Sequence, residues 1–321
     1  KKLEAYGVDA LHICAGCYEN WENGMPGTYF QGTVPHVHSA EIIKQHVSIP
    51  VIAHGRLANV SKAAYALDNY HIDFIGIARS LLADPELGNK ILCDRTNDIA
   101  PCISCNEGCI GHVVNGQHVT CAVNPRCGYE TTRNLKITAN PKRVLIVGAG
   151  PGGCNAAIYA KECGHDVEIW ERDSHIGGNA VAASMPVFKR DMENLLGYYQ
   201  HKLDTMGIRI KFLTEATPEA VAAYAPDHMI WAAGGIPVRP ASIPGIDGDN
   251  VCLATDALEN RAFLGDRIAV IGGGMVGCEA AAHFALLGKQ VSLVEMASTV
   301  LQEDIFIQSR IMLTKWMEAG R

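Results

Sequence analysis

The sequence predicts an α/β fold of parallel sheets: the C-terminal part of a (β/α)8 TIM barrel, a cysteine-bearing loop, and tandem Rossmann-like nucleotide-binding units. Three observations predict it. Short apolar strands alternate with helical stretches over residues 1–92, four cysteines crowd into residues 102–121, and two later stretches, Arg143 to Asp173 and Arg267 to Ala297, repeat one pattern. Repeated strand and helix units imply a parallel sheet. On this reading residues 1–92 close a barrel, 93–139 carry the cysteines, and 140–258 and 259–321 are two incomplete nucleotide-binding domains.

In the first part, Val8 to Ile13, Pro50 to Ala53 and Asp73 to Ile77 read as strands, with helices at Ser39 to His46, Ser61 to Asn69 and Pro85 to Leu92. Gly55-Arg56 follows the second strand, and Gly76 to Arg79 close the third. In a (β/α)8 barrel the loops after the last two strands make the usual phosphate site. Arg56 and Arg79 suit the phosphate of FMN through charge-assisted hydrogen bonds, and pairing with Asp68 and Asp84 is the competing reading. The loop Ala15 to His36 is long for a compact barrel, and such loops are often functional. Tyr18 sits just past the C-terminal end of its strand, where barrel catalytic residues gather. There it could donate a proton to a substrate carbonyl, or simply pack. Cys14-x-x-Cys17 has no second pair beside it and reads as chance proximity.

The next segment holds Cys102-x2-Cys105-x3-Cys109, followed by Cys121. Thiolates at such spacing suit a tetrahedral metal site or a cubane cluster. Structural zinc usually uses two similar knuckles, whereas three close cysteines and a distant one favour [4Fe-4S], whose corners need ligands splayed over a larger body. Zinc and free thiols are the alternatives. Asn124-Pro125 sets a turn directly after Cys121 and makes it the preferred fourth ligand over Cys127. Cys93, Cys154, Cys163, Cys252 and Cys278 read as ordinary buried or helical thiols.

In the first repeat Val144 to Val147 leads into Gly148, Gly150 and Gly153, and Val167 to Trp170 ends at Glu171. In the second, Ile268 to Ile271 leads into Gly272, Gly274 and Gly277, and Val291 to Val294 ends at Glu295. Every paired position is displaced by 124 residues (272 less 148, 295 less 171). The first glycine allows the tight turn, the second lets a pyrophosphate approach the backbone, and the third lets helix and strand pack. The closing glutamate accepts from a ribose diol. At the second site a carboxylate would repel a 2′-phosphate, so NADH is expected over NADPH. Two such units suggest an electron route from a nicotinamide to a flavin.

Composition excludes other classes. A 48% hydrophobic chain with net charge −7 and no clustered basic run argues against nucleic-acid or anionic-membrane partners. No apolar stretch is long enough to span a bilayer, and the clustered cysteines fit a reducing cytoplasm rather than a disulfide framework. Both ends read as cut, so a longer polypeptide is expected, of unknown oligomeric state.

In order, barrel end, Cys-x2-Cys-x3-Cys-x11-Cys and paired nucleotide units resemble the iron-sulfur flavoenzyme branch of the Old Yellow Enzyme superfamily, the 2,4-dienoyl-CoA reductase and 2-enoate reductase group. The most specific words are Ala78 to Pro85, Pro101 to Asn106, Cys121 to Pro125 and Gly148 to Gly153. The resemblance implies that Arg56, Ala78 and Arg79 hold the FMN phosphate, and that Cys102, Cys105, Cys109 and Cys121 hold [4Fe-4S]. It implies further that Glu171, Asn179 after Gly178, Lys189 and Ala216 contact FAD. Ala233-Gly234 matches an Ala-Thr-Gly word with Ala233 in place of Thr. Tyr18 stands where the dienoyl-CoA reductases carry an acid-base histidine. The implied activity is reduction of a C=C bond conjugated to a carbonyl, in an enoate, enone or acyl-CoA, with electrons passing from NADH through FAD and [4Fe-4S] to FMN. An amine dehydrogenase of the same fold, or a non-catalytic electron-transfer module, is the alternative.

Overall fold

The computed structural model describes residues 1–14, 27–30, 36–57, 59–302 and 305–319; Tyr18 and Cys17 lie outside the described residues. The chain forms two compact units, Lys1–Tyr129 with Ala269–Arg321, and Glu130–Ile268.

In the first unit β1 (Leu11–His12), β2 (Val51–His54) and β3 (Phe74–Gly76) form a parallel sheet in that order. Val51 and Ala53 bury one face among Val37, Ala40, Leu57, Ala66 and Ile72, with Leu11, Ile13 and Ile75 packed against them. These residues come from helices Val37–Lys44 and Val60–Asn69 and their loops. Strand side chains alternate faces, so His12, Ile52, His54 and Gly76 lie on the opposite face. The second helix starts sharply because Asn59 Oδ1 accepts from the Ser61 and Lys62 amides at 2.9 and 3.3 Å. β1 is shorter than the apolar run Val8 to Ile13 predicts. Val8 is used elsewhere: its amide donates to the Leu3 carbonyl at 3.3 Å and closes the helix Lys2–Ala5.

The second unit is a parallel sheet in the order β6-β5-β4-β7, with β4 (Arg143–Val147), β5 (Asp166–Trp170), β6 (Arg209–Lys211) and β7 (His228–Trp231). Val144 to Val147 are all buried, as a central strand covered on both faces requires. Gly148 turns the chain at φ +99° into helix Pro151–Glu162, which has proline in its first turn. The second repeat has the same form: β8 (Arg267–Ile271) and β9 (Gln290–Val294) pair, Gly272 has φ +103°, and helix Met275–Leu286 follows.

The third glycine of each turn is a packing requirement. A Cβ on Gly153 would stand 1.9 Å from the Gly148 carbonyl oxygen, and one on Gly277 the same distance from the Gly272 oxygen. Around Gly152, by contrast, a Cβ would meet nothing within 4 Å. Gly153→Ala should therefore cost ~3 kcal/mol or more, because the backbone has to move. Gly152→Ala should leave stability unchanged or slightly raised through helix propensity. Thermal unfolding of the two variants against the parent checks the contrast.

Candidate functional site

The two glycine turns are closed by their carboxylates in the same way. Glu171 Oε2 accepts from the Ala149 amide at 2.6 Å and Oε1 from the Asp173 amide at 2.8 Å. Glu295 Oε2 accepts from the Gly273 amide at 2.5 Å and Oε1 from the Ala297 amide at 2.7 Å. The Ala297 and Gly273 amides hold the Glu295 carboxyl below the usual carboxylate range. Each oxygen keeps acceptor capacity beyond its backbone bond, which is what a ribose diol needs. The cysteine after each third glycine also repeats: Cys154 Sγ donates to the Ala149 carbonyl at 3.2 Å and Cys278 Sγ to the Gly273 carbonyl at 3.3 Å. These buried thiols brace the turns, a role beyond the simple burial that sequence alone suggests.

Other residues gather at the first turn. A Cβ on Gly150 would meet no protein atom within 4 Å, so the approach to this glycine is open, as a pyrophosphate requires. Gly178 lies against it, with a Cβ reaching to 3.4 Å from Gly150 Cα, and the Gly177 amide donates to the Ala149 carbonyl at 2.8 Å. Asn179 follows, and its Nδ2 donates to the Gly235 carbonyl at 3.4 Å. Gly148, Gly150, Gly153, Glu171 and Asn179 are thus brought together. Lys189 is buried in the turn Val187–Lys189, and Ala216 packs on Leu145, Val147 and Trp170.

Cys102, Cys105, Cys109 and Cys121 line one cavity, together with Arg79, Leu82, Asn106 and Val123. Cys121, not Cys127, is the fourth thiol in this wall. Two anchors hold the cysteine arms to the helix Arg79–Ala83 and the residue after it. Asp84 accepts from the Ala100 amide at 2.8 Å and from Lys90 Nζ at 2.5 Å; Asn124 Nδ2 donates to the Leu82 carbonyl at 2.8 Å. The Ser104 amide donates to Cys102 Sγ and the Val123 amide to Cys121 Sγ, both at 3.4 Å. Ser104 and Asn106 take left-handed conformations, φ +55° and +62°, which curl the loop around its thiols. Burial, then the Glu107 amide working against it and the neighbouring cysteines adding to it, pushes the Cys105 thiol up to about 12. Among the described residues no three His, Cys, Asp or Glu side chains converge on one point as ligands of a single metal ion. The thiols ring a space instead. Backbone donors aimed at sulfur and a four-thiol wall fit the donor set of an iron-sulfur cluster.

The two arginines at the sheet end turn to backbone carbonyls rather than to Asp68 or Asp84. Arg56 Nη1 donates to the Thr28 oxygen at 2.7 Å and Arg79 Nη1 to the Gly27 oxygen at 2.8 Å. Ala78 precedes the helix that Arg79 begins.

Sequence reasoning missed one cluster. His54 has ring centroids 4.8 Å from His12 and 5.1 Å from His36. Room for it comes from Gly76, where a Cβ would lie 3.1 Å from His12 Nε2. Burial, then His36, His12 and Arg79, push His54 down to about 4, and burial lowers His36 as well. Only the alternation of β1 and β2, which sends His12 and His54 to the same face, hints at this in the sequence.

The chain thus carries two glycine turns with closing acids and a cavity lined by four cysteines, and comparison with known proteins gives its family. The chain belongs to the pyridine nucleotide-disulphide oxidoreductase family, whose pattern matches residues 142–314, and its residues 2–98 match the NADH:flavin oxidoreductase / NADH oxidase family. That pairing, with the relatives below, places it in the 2,4-dienoyl-CoA reductase-like branch. It is 38% identical to a cinnamate reductase of Clostridium sporogenes over 302 residues, 94% of this chain and 45% of that protein. It is 37% identical to an NADH oxidase of Thermoanaerobacter brockii over 307 residues, 94% of this chain and 47% of that protein. Among solved structures, a 2-naphthoyl-CoA reductase superposes with TM-score 0.91 at 32% identity, covering 98% of this chain and 47% of that one. The chain thus spans about half the length of the curated relatives it matches. Among the described residues no helix is long and apolar enough to cross a membrane.

The histidine cluster carries a pH signature. His54 and His36 bind protons more weakly folded than unfolded, so the unfolded chain holds more protons below the ordinary value of 6.5. Their contribution to stability is present above about pH 6.5 and is lost as pH falls toward about 4. The melting temperature should fall across that window, and His54→Gln should flatten the fall; parallel curves for parent and variant would contradict it.

Proposed function

We propose that the protein to which this chain belongs is an NADH-dependent flavin and iron-sulfur oxidoreductase that reduces a C=C bond conjugated to a carbonyl. The observation that carries the reading is the four-cysteine cavity, held against the helix Arg79–Ala83, in a chain with two acid-closed glycine turns. The activities for which the relatives are named, on cinnamate and on 2-naphthoyl-CoA, support an unsaturated acid or thioester as the substrate class.

In this reading Gly148, Gly150, Gly153 and Glu171 bind FAD, with Asn179, Lys189 and Ala216 beside it. Gly272, Gly274, Gly277 and Glu295 bind NADH. Cys102, Cys105, Cys109 and Cys121 hold [4Fe-4S]. Arg56, Ala78 and Arg79 serve the phosphate end of FMN, in a (β/α)8 barrel of which β1 to β3 are part. When bound, the flavins and the cluster supply the exchange between two-electron and one-electron transfer that lets NADH reduce the substrate. The chain's own residues bind and orient these groups, and Tyr18 donates to the substrate carbonyl or protonates the neighbouring carbon. Cysteines clustered at metal-ligand spacing rather than spread as a disulfide framework support a reducing cytoplasm as the location.

The full-length protein should oxidise NADH in the presence of cinnamate or a related conjugated enoate, and not when the saturated acid replaces it. Equal NADH consumption with both would sink the reading. Because Glu295 is held anionic at the nicotinamide turn, kcat/KM should favour NADH over NADPH by about tenfold or more, and Glu295→Arg should narrow or reverse the ratio. Tyr18→Phe should lower substrate turnover while NADH still reduces the flavin at the parent rate; unchanged turnover would remove Tyr18 from the chemistry.

A further inference from the structure

Arg79 is joined to the cysteines as well as to the end of the sheet. Its Nη1, bound to the Gly27 carbonyl at 2.8 Å, also donates to Asn106 Oδ1. Arg79 also lines the cavity shared by Cys102, Cys105, Cys109 and Cys121, and its charge acts on the Cys102 and Cys109 sulfurs. Asn106 stands between Cys105 and Cys109 in the sequence, is 1% exposed, and donates from Nδ2 to Gln308 Oε1 at 3.1 Å. Gln308 is wholly buried on helix Ile307–Ala319. A continuous polar chain, Gly27, Arg79, Asn106, Gln308, therefore fixes one arginine at the cavity that the four thiols line.

We propose that Arg79 is the electrostatic positioning group of the iron-sulfur site, a cation locked in place by Asn106 and Gln308 that raises the reduction potential of the cluster. This rests on the four cysteines being cluster ligands. Four thiolates leave such a cluster anionic, and each electron it accepts adds one more negative charge while the guanidinium keeps its proton. A fixed neighbouring cation then stabilises the reduced form more than the oxidised one, since cluster potentials follow net charge and hydrogen bonding around the sulfurs. Asn106 matters because an arginine free to swing into water would lose this effect to screening. The role differs from a phosphate contact and makes a separate prediction.

The test is a redox titration of the full-length protein, purified without oxygen and followed by EPR of the reduced cluster. Arg79→Gln should shift the one-electron equilibrium against reduction by about tenfold, equivalent to about 59 mV toward lower potential. Arg79→Lys, which keeps the charge without the fork, should shift it less. Gln308→Met, which removes only the far support of Asn106, should shift it in the same direction by a smaller amount. An unmoved midpoint in Arg79→Gln would overturn the proposal, including the case where that variant loses FMN and so shows a phosphate role instead. If Arg79→Gln fails to assemble a cluster, Gln308→Met decides, and an unmoved midpoint there overturns it equally. A parent protein with no cluster signal would overturn the reading of the cysteines, and the Arg79 role with it.

Discussion

Asp84 and Asn124 hold the two cysteine arms to one short stretch of chain. The segment from Ala100 to Cys121 has little regular structure, so its shape comes from a few polar contacts rather than from a core. Asp84 is 4% exposed and is satisfied by the Ala100 and Glu86 amides and by Lys90, which is what a buried carboxylate needs to be stable. Asn124 binds the Leu82 carbonyl with one end of its amide and the Arg126 amide with the other, close after Cys121, which lines one cavity with the first three cysteines. Without these anchors the four thiols would be scattered along a loop. With them, Arg79 and the cysteines share one wall, and the sheet end carrying Arg56 and His54 belongs to the same compact unit.

The glycine turns follow a different logic. There the constraint is steric, a glycine that touches a carbonyl oxygen one turn away, and it is met twice by identical devices. The repetition extends past the glycines to the carboxylate bonds on Ala149 and Gly273 and to the thiol bonds of Cys154 and Cys278. A duplicated turn therefore carries with it the same means of fixing its acid, the group that meets the ribose in the proposed reading.

These local features were legible in the sequence because each is made by residues within one strand, turn and helix. Strand ends were less so: the apolar run from Val8 reads as strand, yet Val8 closes the preceding helix. Asn124-Pro125 marks the turn after Cys121, and Cys121 lines the cavity with Cys102, Cys105 and Cys109. The histidine cluster was not legible, since residues 12, 36 and 54 meet only through the register of parallel strands. Arg79 was half legible. Its position after a strand suggested a phosphate, but its partners Gly27 and Asn106 lie 52 and 27 residues away, and no local pattern announces them.

The measurement that tests the account most directly is the iron and acid-labile sulfide content of the full-length protein, purified without oxygen. About four of each per chain is the result the account predicts. Zinc without sulfide would contradict it, making the cavity of Cys102, Cys105, Cys109 and Cys121 a structural knuckle and leaving the proposed path from FAD to FMN without a bridge.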